Sequence, residues 1–249
     1  MEKVSCEPLT EQLSLFVSKE HTFGTDAFLL ADFAGEYRAE RCCDLGTGCG
    51  IIAFLLAARE KAAHITCVDL SADAISLCNR TVETYPALGR VQPVCADLRK
   101  LGGREYAGQF DLVVCNPPYY AEGTGKLSRS KAAQVARHEM ECTLEDVVET
   151  AFRLLRVGGS VCLSFKPERM ADLFFELRKA RLEPKRLRMV QKNEGSAPWL
   201  LLVEARKCGK PFLRVEPPLL LYRPDGTQTE EFQRIYEIPS KGAMQDEPN

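Results

Sequence analysis

"RCCDLGTGCGIIAFLLAAREKAAHITCVDL", Arg41 to Leu70, holds one full unit of an alternating pattern. "RCCDL" reads as a buried strand, glycines at 46, 48 and 50 break it, "GIIAFLLAAREKA" is long and apolar enough for a helix, and "HITCVDL" returns to strand composition. Strand, tight turn, helix and strand in that order build a parallel sheet, because parallel neighbours need a crossover and the crossover helix lands on a face of the sheet.

The pattern continues outward. "SADAISLCNRTVETY" reads as a helix capped by Ser71, "RVQPVCA" and "FDLVVCN" as strands, and "TLEDVVETAFRLLR" as a helix. Then come the strand "SVCLSF" after a turn at Gly158-Gly159, the helix "ERMADLFFELRKAR", and the late strands "KRLRMVQ" and "WLLLVEARK". The last two, joined by a short loop, suggest an antiparallel pair at one edge. The expectation is an α/β fold with a mostly parallel seven-stranded sheet, an antiparallel edge strand and helices on both faces. Residues 1–40 form an extension, 41–238 the domain, and 239–249, "PSKGAMQDEPN", a flexible tail.

With 249 residues, 45% apolar and 27% charged, the chain reads as one soluble catalytic domain. No window approaches the apolar run of about 18 residues that a membrane helix needs, and the first residues lack a signal pattern, so a cytoplasmic location is expected. Eleven cysteines are an odd number without any C-x-x-C spacing, and several, such as Cys67, Cys95 and Cys162, lie in strand-like runs. They read as reduced, mostly buried thiols, with no metal site; adjacent Cys42 and Cys43 favour strand packing. The formal charge of -2 excludes a polycation built to coat nucleic acid. Residues 1–125 carry 11 basic against 17 acidic side chains and residues 126–249 carry 22 against 18. The basic cluster Arg178 to Lys192 is either a solvated face or a strip for phosphates.

The turn "DLGTGCG" places flexible backbone and a helix start at the end of a strand, as in a nucleotide-type pocket. Its G-x-G-x-G spacing differs from the dinucleotide G-x-G-x-x-G, which speaks against a dehydrogenase. Asp69 closes the next strand, where a carboxylate can accept both hydroxyls of a ribose, and Asp97 follows the third, where an acid can accept from an adenine amino group. A helix cap and a loop acid are the plain alternatives. Asp44, at the head of the pocket, suits a ligand carrying positive charge.

This ordered set resembles the Rossmann-like class I S-adenosylmethionine-dependent methyltransferases. The resemblance implies Gly46 and Gly48 beneath the methionine part of S-adenosyl-L-methionine, Asp69 on the ribose, Leu70 on the adenine face and Asp97 at its edge, with Asp44, Thr47 and Leu98 completing the cofactor-binding set.

"VVCNPPYY", Val113 to Tyr120, ends a strand with an amide and two prolines. Pro117 and Pro118 stiffen the loop and remove two N–H donors, so it offers carbonyls: the side chain of Asn116 and the backbone of Pro117. Two rigid acceptors suit one planar NH2 group. Hydrogen bonds from both its hydrogens favour a tetrahedral nitrogen during attack on a sulfonium methyl, without a metal or strong base. Tyr119 can stack on a base.

"NPPY" resembles the signature of amino-nitrogen methyltransferases. With "HTFGTDAFLLADF", "DLGTGCGII", "ARHE", "KPERMADL" and "VEARKCGKPFLRVEPPLLLY", in order over residues 16–238, the chain is similar to the bacterial tRNA adenine N(6)-methyltransferases that modify tRNA1(Val) beside its anticodon. The resemblance implies Thr25 and Asp26 as cofactor-pocket contacts, Asn116, Pro117 and Tyr119 as catalytic, and Pro118, Tyr119, Tyr120, Arg137 and His138 on the substrate side, with Asn116 also bordering the cofactor. The implied partner is the anticodon stem-loop of a tRNA. Thr22 and Trp199 depart from the usual pattern. Lys126, Arg129, Lys131 and Arg137 read as a surface loop or a flap for phosphates; Phe16 and Phe23 read as packing. Protein glutamine N(5) methylation, ribosomal RNA guanine N(2) methylation and a non-enzymatic RNA chaperone are the competing functions.

Overall fold

The computed structural model describes residues 4–9, 13–117 and 142–237. In chain order these form β1 (Ser5–Pro8), β2 (Ser14–Val17), α1 (Thr25–Ala34), β3 (Ala39–Leu45), α2 (Ile51–Ala58), β4 (Ala62–Asp69), α3 (Ala72–Thr84), β5 (Val91–Cys95) and β6 (Phe110–Cys115). There follow α4 (Leu144–Leu154), β7 (Leu155–Phe165), α5 (Met170–Lys179), β8 (Leu182–Gln191), β9 (Leu200–Lys207), β10 (Arg214–Val215), β11 (Leu219–Leu220) and α6 (Glu230–Tyr236).

Because side chains alternate along a strand, the sheet divides the apolar residues between two cores. Cys42, Cys67, Leu112, Val114 and Cys162 face α1, α2, α3 and α6, whereas Cys43, Val68, Val113, Cys115 and Val161 face α4 and α5. Cys42 and Cys43 therefore pack on opposite faces, which is why two adjacent thiols never meet. All eleven cysteines are free and seven are buried; Cys95, expected inside, is exposed at the end of β5. Full burial of a Leu or Phe side chain contributes roughly 1.5–3 kcal/mol, so residues such as Phe54, Leu56 and Phe110 anchor the two layers.

The strand order is β10-β8-β9-β7-β6-β3-β4-β5, with β11 also on β8. The seven expected strands are present, and two-residue β10 and β11 extend the edge to nine. β9 is antiparallel to both β7 and β8, so the reversed strand lies one place inside the outermost long strand. Composition explains the exchange: β9 buries six consecutive residues, Leu200–Ala205, and needs neighbours on both edges, while β8 alternates and tolerates the rim. β7 starts at Leu155, five residues before the expected strand, and carries Gly158-Gly159 as an irregularity opposite Phe110–Leu112. A Cβ on Gly159 would come within 3.0 Å of the Asp111 and Phe110 carbonyls, so that glycine permits close backbone approach within the sheet.

The amino-terminal segment is part of the same body. α1 buries seven of its ten residues in the first core, and the β1–β2 hairpin lies on α3, where the Ser14 amide donates to Tyr85 Oη at 3.1 Å. Parallel pairing brings Leu45, Asp69, Cys95 and Cys115 to one rim of the sheet. Ligands of open α/β sheets sit outside such carboxyl ends.

Candidate active site

The three glycines after β3 take positive φ, +68° at Gly46, +56° at Gly48 and +86° at Gly50, but for different reasons. A Cβ on Gly50 would lie 2.5 Å from the Phe54 ring and 3.0 Å from Cys78 Sγ, so this residue serves packing. Among the described residues, a Cβ on Gly46 or Gly48 would meet nothing within 4 Å; these two present open backbone at the rim. The amides of Gly46 and Thr47 donate to the Val68 carbonyl at 2.9 and 3.0 Å, which ties the turn to β4.

Three carboxylates follow the strands, in three different states. Asp44 is 1% exposed and accepts from Thr47 Oγ1 at 2.6 Å, while its Oδ1 is buried without a hydrogen-bond partner among the described residues. Burial pushes its carboxyl up to about 7, against opposing help from Thr47 and the Ala53 amide and with a further push from Asp69. Asp69 accepts from the Gly48 amide at 2.9 Å on one oxygen and from the Ser71 amide at 2.8 Å on the other. A carboxylate has about four acceptor positions, so these two bonds orient it and leave it able to accept more. Beside it Leu70 is 52% exposed, an apolar side chain held in the open at the rim. Asp97 differs: it caps a short 3-10 turn and accepts from Arg99 Nε and Nη2, both at 2.9 Å, a pairing that holds its carboxyl below the ordinary range. There the plain cap describes the geometry, and half-buried Leu98 packs on the second core.

Asn116 stands at the end of β6 and is held from two sides. Its Nδ2 donates to Asp26 Oδ2 at 3.0 Å, and its Oδ1 accepts from Ser164 Oγ at 2.5 Å. Ser164 is fully buried on neighbouring β7, and Asp26 sits in the first turn of α1. Pro117 is buried behind the amide. Thr25 accepts from the Tyr236 hydroxyl at 3.0 Å, and Tyr236 stacks on Phe28 with ring centroids 4.3 Å apart. The sequence reading named Asp26 but not its bond to Asn116, and missed Ser164, Tyr236 and His21, whose Nε2 lies 3.1 Å from Ser71 Oγ. A lone serine near the end of the apolar run "SVCLSF" was the available signal for Ser164. Pro118, Tyr119, Tyr120, Arg137 and His138, with Lys126, Arg129 and Lys131, lie outside the described residues.

The basic cluster resolves toward internal pairing. Arg186 ion-pairs with Glu36, Glu204 and Glu216, and Arg188 forms a two-pronged bond with Glu231 at 2.7 and 2.9 Å. Leu182 pairs with Lys207 at the end of β8 opposite the rim, so Arg178, Arg181 and Lys185 stand away from Asn116. A cavity of about 360 Å³ among Arg59, Arg186, Arg188, Arg234, Asp32 and Glu36 is likewise on this far side, near the carboxyl ends of α1 and α2. Trp199 packs on the first core, with Lys166 Nζ 5.5 Å from its ring centroid. Among the described residues there is no cluster of three metal-ligating side chains and no helix long and apolar enough to cross a membrane.

Comparison with known proteins gives the family and the fold. Residues 8–170 match the family described as methyltransferase small domain. A protein of Tolumonas auensis named tRNA1(Val) (adenine(37)-N6)-methyltransferase is 30% identical over 84% of this chain and 85% of its own length. One of the same name from Parabacteroides distasonis is 31% identical over 73% and 75%. A solved structure described as a predicted O-methyltransferase from Agrobacterium tumefaciens superposes with a TM-score of 0.69, at 24% identity over 85% of this chain and 95% of that one, and so shares the fold. The chain belongs to the methyltransferase small domain family and, within it, to the family of these tRNA1(Val) adenine N6-methyltransferases.

Proposed function

We propose that this family member transfers the methyl group of S-adenosyl-L-methionine to the exocyclic N(6) of an adenine in tRNA, specifically adenine 37 in the anticodon stem-loop of tRNA1(Val). The observation that carries the reading is the Asn116 amide, fixed by Asp26 and Ser164 at the end of β6, on the same rim as the open glycine turn. The names of the relatives support the acceptor.

The residues present fit the cofactor. Open backbone at Gly46 and Gly48, an acid with an unpartnered buried oxygen at Asp44, an oriented carboxylate at Asp69 and exposed Leu70 suit a cationic amino acid joined to a nucleoside. Thr47 orients Asp44, and Asp97 and Leu98 border the same rim. When bound, the cofactor supplies an electrophilic methyl. The chain's own task is to hold and prepare the amine. An adenine amino group is a poor nucleophile because its lone pair is delocalised into the ring. The Asn116 and Pro117 carbonyls accept its hydrogens and stabilise the positive charge that grows on nitrogen; Tyr119 stacks on the base, with Pro118, Tyr120, Arg137 and His138 on the acceptor side. The methylated nitrogen is strongly acidic and sheds its extra proton to water, so no dedicated general base is required. On this reading residues 1–40 serve the pocket of the domain spanning 41–238, with Thr25 on the cofactor side and Asp26 on Asn116.

An anticodon-loop base is partly unstacked already, so turning it into a pocket is easier than extracting one from a duplex. The test is incubation of the protein with radiolabelled cofactor and separate pools of unmodified tRNA, ribosomal RNA and release factor. Label in N(6)-methyladenosine of tRNA is expected, in a reaction that weakens with salt. Label in ribosomal guanosine or in a glutamine of the release factor would overturn the reading.

A further inference from the structure

An amide that must present its oxygen to a substrate has a failure mode: rotated by half a turn, it presents NH2 instead. Nothing in Asn116 itself prevents this. The surroundings do. Asp26 carries only acceptors when ionised, so the atom facing it must be the NH2 group; that leaves the oxygen to the Ser164 hydroxyl on neighbouring β7, which donates to it and fixes its place. Turning the amide over would put oxygen against carboxylate at the 3.0 Å contact.

Asp26 is itself held in place. Its Oδ1 accepts from the Ala27 amide at 3.1 Å, leaving Oδ2 on Asn116. The carboxylate curls back over Gly24, where an added Cβ would lie 2.8 Å from Oδ1. Gly24 has φ of -121°, a backbone that alanine adopts without strain, so among the described residues the neighbour at issue there is the Asp26 side chain.

We propose that Asp26 and Ser164 are positioning residues that lock the Asn116 amide in its acceptor orientation, that the Asp26 charge strengthens that acceptor by polarising the amide, and that Gly24 is glycine to make room for the Asp26 carboxylate. The inference rests on the methyl-transfer reading and assigns Asp26 to Asn116 in place of the cofactor contact expected from the sequence. A negative charge hydrogen-bonded to the amide NH2 increases electron density on the amide oxygen through the conjugated N–C=O unit, and hydrogen-bonded chains reinforce one another in this way. The bond between an ionised acceptor and a neutral donor is also roughly twice as strong as a neutral one.

The experiment compares Asp26→Ala, Asp26→Asn, Gly24→Ala and Ser164→Ala with Asn116→Ala, measuring kcat, the KM for tRNA and equilibrium cofactor binding. Asp26→Ala should lower kcat about a hundredfold, as loss of a preorganised polar group does. Asp26→Asn keeps an acceptor without its charge and should lower kcat about tenfold. Gly24→Ala should lower kcat several-fold while the fold is kept, and Ser164→Ala about tenfold. Cofactor affinity should stay within about twofold throughout, since the lock acts on the acceptor side. Unchanged kcat in Asp26→Asn and Gly24→Ala, with Asn116→Ala inactive, would overturn the lock alone. A cofactor affinity that falls in parallel with kcat would make Asp26 a cofactor ligand and overturn it too. Full activity in Asn116→Ala would instead remove the methyl-transfer reading on which it stands.

Discussion

The rim around Asn116 and the far edge around Arg186 are both dense in polar groups, yet they are opposites. At the far edge the basic cluster is answered by glutamates: Arg186 by three of them, Arg188 by Glu231, Arg178 by Glu183, although Arg59 Nη1 in the neighbouring cavity is buried without a hydrogen bond among the described residues. At the rim the account is left open among the described residues, with a buried oxygen of Asp44 unmatched, two glycines with nothing within 4 Å of an added Cβ and Leu70 exposed. Charge density in a sequence thus marks surface or scaffold equally well. An unpartnered buried atom occurs in both regions; what marks the rim as a site is its combination there with open glycine backbone, an oriented carboxylate and the fixed Asn116 amide.

The contrast can be broken by substitution. Asn116→Ala should reduce turnover by roughly a thousandfold or more while the fold survives, measured as single-turnover methyl transfer beside circular dichroism. Arg186→Ala should do the reverse: about 3–5 kcal/mol lost in denaturant unfolding, from leaving its glutamates unpaired, with turnover per folded molecule unchanged. A large loss of turnover in that folded variant would erase the distinction between the two regions.

Asp44→Asn sharpens it further. Because the folded carboxyl titrates near 7, above its ordinary value of 3.8, the folded state holds the proton more tightly than the unfolded chain. Its contribution to stability therefore falls as pH rises from the ordinary value through 7, so above pH 7 the ligand-free Asn variant should melt higher than the parent. Cofactor binding should respond oppositely, tightening in the parent from pH 6 to 8 as the charge appears and remaining weak in the variant, about tenfold in calorimetry. The smallest effect is expected at Lys185→Ala, whose side chain donates to the Lys210 carbonyl at the end of the sheet away from Asn116. Affinity for tRNA by filter binding should change by less than about twofold; a loss of one counterion in the salt slope would return the phosphate strip to that edge.

Much of this architecture was readable. The strand and helix alternation from Arg41 onward, the Ser71 cap and the rim acids follow from periodicity and turn chemistry. α1 did not, because a helix buried on most of its circumference loses the polar stripe that announces it, and Gly24 offers no side-chain cap. β10 and β11 are two residues each, too short for any pattern. Within the site, Asp44 and Asp69 could be placed by their spacing from the glycines. The Asp26–Asn116 bond spans 90 residues, and only the packing of α1 on the sheet brings its ends together.

Exposed Cys95 has a practical use. Its thiol sits at the mouth of β5, near enough to offer its hydrogen to the Leu70 carbonyl at 3.7 Å, while seven other cysteines are sealed inside. With Cys6 and Cys208 replaced and partly buried Cys142 monitored, a dye attached there would report on the neighbourhood of Leu70, giving the protein a fluorescent gauge of occupancy independent of turnover.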